Sequence, residues 1–224
     1  MSRSPSGETQ IDFAWEPSPP AAGRRSVADP PVQLKMSVTT AEGDPVFEGV
    51  VAASGGRAAG AVAAPARASF TSPPGRLLVQ MVIEDASARL LDRDVRDLMV
   101  TSFAEPLVIG TPEVRRARTA RDRQRIAADD APVAVSRQFS RTESLLVRIP
   151  VSGASGEPVV SARLVSQPGS VLRTFVPTPV ASRPGSFEVE LPLAWLAMGN
   201  YALEFSAASG GARAGERLAF RVTP

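Results

Sequence analysis

The chain has 224 residues, 43% hydrophobic and 21% charged, with 21 Pro, 17 Gly, no Cys, no His and a net charge of +2. The length suits two domains of about 100 residues each, and the apolar fraction is enough for a packed core. Without His or Cys there is no Ser-His-Asp or Cys-His nucleophile system, no thiol chemistry, no disulfide and no ordinary zinc site.

Period-2 alternation dominates the first half, after a start (residues 1–8) expected to be disordered. Ile11, Phe13 and Trp15 alternate with Asp12, Ala14 and Glu16, and Val32, Leu34, Met36 and Val38 alternate with Gln33, Lys35, Ser37 and Thr39. Both patterns are those of half-buried antiparallel strands. Thr40 to Asp44 reads as a hairpin connection to a strand at Val46 to Val50. Phe70 ends a short run before Ser72-Pro73-Pro74-Gly75, a turn by composition. Leu77, Val79, Met81 and Ile83 form one face of a further strand. Asp85 to Ala88 is its turn, leading into strands at Arg89 to Asp94 and Val95 to Val100. Such spacing predicts a β-sandwich over residues 9–104.

The second half repeats the style. Leu145, Val147, Ile149 and Val151 form one row, Val160, Ala162 and Leu164 another, and Phe187, Val189 and Leu191 a third. Tyr201, Leu203 and Phe205 follow Gly199-Asn200, while Leu218, Phe220 and Val222 close the chain after a Gly210-Gly211 hairpin turn. A second sandwich is thus expected over residues 107–224, with the boundary near Ala104-Glu105-Pro106. The fold class is all-β: two tandem immunoglobulin-like or fibronectin-III-like antiparallel sandwiches with one or two short helices. The helices are placed at 119–129, which lacks Gly and Pro, and at Pro192 to Met198. Residues 17–31 and the Ala/Gly-rich 51–66 read as connections.

Five features are candidates for chemistry. Arg115, Arg116, Arg118, Arg121, Arg123 and Arg125 lie within eleven residues. Clustered guanidinium groups fork onto phosphates and other polyanions, so these six are the candidate anion or partner contacts. The competing reading is a solvated strand and helix face offset by Glu113, Asp122, Asp129 and Asp130. No aromatic residues are interleaved for base stacking. The pI near 9.9 reflects the lack of groups titrating between carboxylates and arginines, with Lys35 the single lysine and Tyr201 the single tyrosine. No nucleic-acid partner is therefore expected.

Asp92 with Asp94, and Asp129 with Asp130, are candidate carboxylate pairs. A Ca²⁺ site takes roughly six to eight oxygen ligands on a patterned loop, and no such pattern is present, so turn contacts and ion pairs are the expectation. A hydrolase needs only two carboxylates, yet nothing marks a pair converging on a cleft. Trp15, Trp195 and Tyr201 are expected in cores, with Tyr201 placed to pin a corner. The glycine-rich 55–60 stretch lacks the Gly-Lys-Ser/Thr of a phosphate loop. No metal, cofactor or catalytic residue is assigned.

Several stretches resemble a known family. They are Ile11-Asp-Phe-Ala-Trp-Glu-Pro, Ala68-Ser-Phe-Thr-Ser-Pro-Pro-Gly, Asp92-Arg-Asp-Val-Arg-Asp-Leu and Leu107-Val-Ile-Gly-Thr-Pro. Phe139-Ser-Arg-Thr-Glu-Ser-Leu-Leu-Val-Arg and Leu191-Pro-Leu-Ala-Trp-Leu-Ala-Met-Gly-Asn-Tyr complete the set. In this order they resemble the C-terminal region of bacterial von Willebrand factor A-related secreted proteins, across nearly the whole chain. The A-domain with its Asp-x-Ser-x-Ser motif has no counterpart here, so no metal ligands carry over. The resemblance implies a non-enzymatic, scaffold-like tail that contacts other proteins or domains of a larger polypeptide. The alternative is a carbohydrate- or polyanion-binding module using the Arg115–Arg125 face. No segment has the apolar core of a signal peptide or the about 18 apolar residues of a membrane helix, so no membrane span is expected. Taken as written the chain is expected in the cytoplasm, and as part of an exported parent it is expected to be secreted or periplasmic.

Overall fold

The computed structural model describes residues 1–4, 6–17, 30–52, 67–100, 102–103, 105–129, 131–167 and 169–224. Residues 18–29 and 53–66 of the two expected connections, with Ala104 and Asp130, lie outside the described residues. The fold is all-β: of the described residues 59% are strand and 3% helix. It divides into two compact units, Arg3–Ser102 and Phe103–Pro224.

Among the described residues the first unit holds seven strands. A three-stranded sheet joins β1 (Ser2–Arg3), β2 (Thr9–Phe13) and β5 (Ala68–Ser72) in the order β1-β2-β5. A four-stranded sheet joins β3 (Gln33–Thr40), β4 (Pro45–Ala52), β6 (Gly75–Glu84) and β7 (Leu90–Val100) in the order β4-β3-β6-β7. The expected disorder of residues 1–8 is corrected by β1, whose hairpin is closed by Ser4 N–H donating to the Glu8 carbonyl at 2.8 Å. Alternation decides the faces: Leu34, Met36 and Val38 are buried while Lys35 between them is exposed. Those three pack with Ile11, Trp15, Val51, Leu77, Val79 and Met81 in one core. Trp15 also donates its indole N–H to the Val51 carbonyl at 3.1 Å, the partner a buried indole needs.

The two strands expected at 89–94 and 95–100 form one continuous strand, β7, antiparallel to β6. Their turn is tied by Asp85, whose Oδ1 accepts from the N–H groups of Ser87 (2.9 Å) and Arg89 (3.0 Å). Ala88 sits there at φ 59°, a left-handed conformation that costs a residue with a Cβ about 1–2 kcal/mol.

Among its described residues the second unit has ten strands and one helix. One sheet holds β8 (Val108–Ile109), β9 (Glu113–Ala117), β11 (Ser144–Ser152), β14 (Thr178–Pro179) and β15 (Ser186–Pro192). The other has β10 (Gln138–Ser140), β12 (Val159–Ser166), β13 (Val171–Phe175), β16 (Gly199–Ser209) and β17 (Ala212–Thr223). Every pairing is antiparallel except β10 with β17. The orders β9-β11-β15 and β13-β12-β16-β17 are the three-against-four layers of a fibronectin-III-like sandwich. Between them lie Leu145, Val147 and Ile149 of β11, Val189 and Leu191 of β15, Leu164 of β12, Leu203 of β16 and Phe220 of β17. Gly210 and Gly211, at φ 55° and 87°, make the β16–β17 turn, where two successive positive φ values select glycine.

The single helix, α1 (Ala120–Arg125), starts at a Thr119 N-cap: Thr119 Oγ1 accepts from Asp122 N–H at 3.1 Å, and Asp122 Oδ2 accepts from Thr119 N–H at 2.9 Å. This reciprocal box satisfies two otherwise orphaned donors. The helix stops at Arg125, short of the expected 129, because Ile126 turns inward against Leu146 and Ala117. The helix expected at 192–198 is absent. Leu193 and Leu196 both enter the core through a turn, Leu196 N–H donating to the Leu193 carbonyl at 3.0 Å. That turn leaves Trp195 at its tip, 46% exposed, which corrects its expected place in a core.

Candidate functional site

The arginine run is divided by the fold into an inner and an outer part. On β9 side chains alternate, so Val114 enters the sandwich core while Arg115 and Ala117 point to the opposite face of the sheet. That opposite face is covered by a strap of chain, α1 and the turn after it. Arg115 lies beneath the strap with its side chain 0% exposed. This corrects its assignment as an anion contact: its donors already have partners inside. Its Nε donates to Glu113 Oε1 at 2.7 Å. Its Nη1 donates to the carbonyls of Ile126 (3.2 Å) and Ala128, and Nη2 to that of Asp129 at 3.4 Å.

Arg148 on β11 sits beside it, also buried. It donates to Glu188 Oε2 at 3.1 Å, to Asp129 Oδ1 at 2.9 Å and to the Ala127 carbonyl. Arg183 completes the group, 3.1 Å from Asp129 Oδ1 and 3.9 Å from Glu113 Oε2. Three arginines therefore face Glu113, Asp129 and Glu188, and the cluster is neutral. Burial pulls the Arg115 pKa down, with the Glu113 charge and hydrogen bond opposing it. The hydrogen bond from Arg148 holds the Asp129 carboxyl below its usual range, with Arg183 adding to the effect. Carbonyls at and just beyond a helix C-terminus lack intrahelical donors and carry the negative end of the dipole. Arginine forks answer both needs at once.

The remaining arginines of the run lie at or near the surface. Arg118 donates to Glu143 Oε1 at 2.8 Å, and Arg123 to Ser144 Oγ at 3.2 Å. Arg116 on β9 is half-buried and has an interaction of its own. Arg121 and Arg125 are exposed on α1. Of the six, Arg118, Arg121, Arg123 and Arg125 are thus exposed on or just before one short helix.

Asp92 and Asp94 lie within β7 and not on a ligand loop. Asp94 Oδ2 accepts from Arg96 Nε at 2.7 Å, and the two carboxylates also accept from the N–H groups of Arg93 and Val95. Among the described residues no three acidic side chains converge as a metal site. Tyr201 packs on Phe220, ring centroids 5.9 Å apart, and its hydroxyl donates to the Ala197 carbonyl at 2.9 Å. This is the corner pin of a sandwich domain.

Sequence reasoning missed Arg148, Arg183 and Glu188 as members of the cluster. The signal for Arg148 was Leu146: an apolar residue on the supposedly wet face of β11 implies a cover over that face, and Arg148 shares it.

The fold and these sites define a chain of β-sandwich units. No family model matches the sequence, and no curated protein matches it. Solved structures to which it is similar include a tetra-tandem repeat in the extending region of a large adhesion protein, at 14% identity and TM-score 0.33 over 97% of this chain and 46% of that one. Another is the BSP domain of a biofilm-associated protein, at 14% identity and TM-score 0.34 over 85% of this chain and 25% of that one. A third is the fibronectin(III)-like modules of Clostridium thermocellum CbhA, at 14% identity and TM-score 0.25 over 96% of this chain and 85% of that one. The chain thus spans under half the length of the first two. Among the described residues no helix is long and apolar enough to cross a membrane.

Proposed function

We propose that this chain is a non-enzymatic scaffold or protein-interaction tail built of sandwich units, of the kind that accompanies a von Willebrand factor A-related domain. The observation that carries the reading is the succession of two compact units, each closed around its own apolar core. Such units act as spacers and present sheet edges and end loops to partners. The use of the inner arginines also supports it, since Arg115 and Arg148 hold the strap and face no cleft. The family assignment rests on the six sequence stretches that run from Ile11 to Tyr201. Single-molecule stretching of the full chain tests the spacer role. Two separate unfolding events are expected, each releasing about 3.6 Å per residue of its unit; one event spanning both units, or extension without resistance, refutes it.

A second reading is supported by the exposure of Arg118, Arg121, Arg123 and Arg125: binding of a sulfated or otherwise anionic carbohydrate at α1. Retention on heparin well above physiological salt, lost in the triple variant Arg121→Glu, Arg123→Glu, Arg125→Glu, is its expected result. Elution of the unaltered chain below physiological salt removes it.

A further inference from the structure

Strand β7 is the outer strand of its sheet, and among the described residues no strand pairs with its far side. Eleven residues long, it carries three exposed large apolar side chains: Leu90 at 60%, Val95 at 52% and Met99 at 64%. The N–H groups of Arg93 and Val95 donate to the carboxylates of the preceding Asp92 (2.8 Å) and Asp94 (2.9 Å), and so turn away from β6. The ladder groups of alternate residues thus lie along an open edge.

The sequence of this edge matches its own reverse. With one copy antiparallel to another and Val95 opposite Val95, Asp94 faces Arg96 and Arg93 faces Asp97, each pair occurring twice by symmetry. Leu91 then faces Met99 and Leu90 faces Val100; Asp92 faces Leu98, the one unmatched pair, and no like charges oppose one another. Sliding by two residues, the nearest shift that keeps the open ladder groups opposed, destroys the match. One slip sets Asp94 against Asp94, and the other sets Arg96 against Arg96. Directly opposed like charges destabilise a strand pair and opposite charges favour it, so the charges select one register. They also disfavour most foreign strands. The geometry points to antiparallel pairing of β7 with β7 of a second copy, two-fold symmetric about Val95, which continues the four-stranded sheet from one copy into the next. The partner is another molecule of this same chain. In the single chain the same side chains are held locally, Arg96 by Asp94 at 2.7 Å and Asp97 by Arg76 at 2.8 Å, and these contacts exchange for cross-strand ones on pairing.

The absence of native cysteine makes a direct test available. Val95→Cys places two sulfur atoms on the symmetry axis. Opposed Cα atoms there are about 4.5–5.5 Å apart, within the span of a disulfide. Arg93→Cys is the control, because the same register holds its two copies about 13 Å apart. Under mild oxidation the full chain with Val95→Cys is expected to cross-link at least tenfold faster than that with Arg93→Cys. Sedimentation equilibrium on the unaltered chain, up to about 200 µM, is expected to show a dimer. Asp94→Arg should abolish it, and the exchanged pair Asp94→Arg with Arg96→Asp should restore it. A monomer throughout that range, or a dimer that Val95→Cys traps no faster than Arg93→Cys, overturns the proposal and leaves the charges as guards of a solitary edge.

Discussion

Replacing Arg115 by Met is the most searching perturbation of the second unit. The change keeps an unbranched apolar stem and removes every donor. It takes the guanidinium from Glu113 and from the carbonyls of Ile126, Ala128 and Asp129. Breaking a buried pair by deleting one partner costs about 3–5 kcal/mol. A ceiling is set by the strap itself. If it lifts, the stranded groups reach water, and the loss becomes the docking energy of the strap: burial of Ile126 against Leu146 and Ala117, plus the Arg148 contacts. Lifting of the strap can only lower the loss, so the lower part of that range, about 3–4 kcal/mol, is expected.

With a urea dependence of about 2 kcal/mol per molar, the unfolding midpoint of this unit should fall by about 1.5–2 M. Hydrogen exchange should rise across 118–134 and along β11, and trypsin should cut sooner after Arg121, Arg123 and Arg125. Arg115→Lys should recover only part of the loss, because an ammonium cannot serve a carboxylate and three carbonyls spread around a fork. A midpoint within about 0.3 M of the unaltered chain, with unchanged cutting, would refute the strap as a load shared by Arg115.

Three further outcomes follow from local geometry. Glu84 is held below its usual pKa by Lys35 and Gln33, Asp85 by the backbone N–H groups of Arg89 and Ser87, and Asp129 by Arg148. Depressed folded values add stability that is complete above the unfolded pKa of about 4 and is lost as pH falls through the folded values. The melting temperature should therefore stay flat from about pH 5 to 8 and drop below about pH 4. A step near neutrality contradicts this, since the chain has no His. Ala88→Gly relieves the φ of 59° and should stabilise the first unit by up to about 1 kcal/mol after the entropic penalty of glycine, read from denaturant curves. Tyr201→Phe removes the hydroxyl bond to the Ala197 carbonyl and should cost about 1 kcal/mol, with faster exchange at Gly199 to Tyr201 in the hydrogen-exchange profile.

Strands buried on one face were legible because their alternation is a local fact: β3, β6, β15 and β16 follow their sequence rows closely. The Tyr201 corner was legible for the same reason, since turn, aromatic and strand are adjacent. Strands β10, β13 and β14 were not. Three residues of β10 depend on parallel pairing with a strand some 80 residues later, and β13 is exposed almost throughout, so no apolar row marks it. The turn at 193–198 misled because Leu193, Leu196 and Ala residues are good helix formers. Two leucines entering the core outweighed that propensity, and Trp195 was left outside. Arg115 was misplaced because the face of β9 it occupies is covered by a strap that arrives from sequence beyond it.

The chain's near-exclusive use of arginine gains a physical meaning at this cluster. Arg115 and Arg148 each span a carboxylate and backbone carbonyls from different directions, bonds that need donors spread around a plane. A lysine offers its three donors from one point, so it could satisfy the carboxylate or the carbonyls but not both. The three arginines are balanced by Glu113, Asp129 and Glu188, so docking the strap brings no net charge beneath it. Around the strap, charge of one sign therefore gathers outside, on α1, where Arg121 and Arg125 are exposed. If the outer arginines bind an anion, the strap that carries them must already be seated by the inner ones. Arg115→Met should then weaken anion retention without touching the binding face, whereas Arg121→Glu should weaken retention and leave the urea midpoint unchanged.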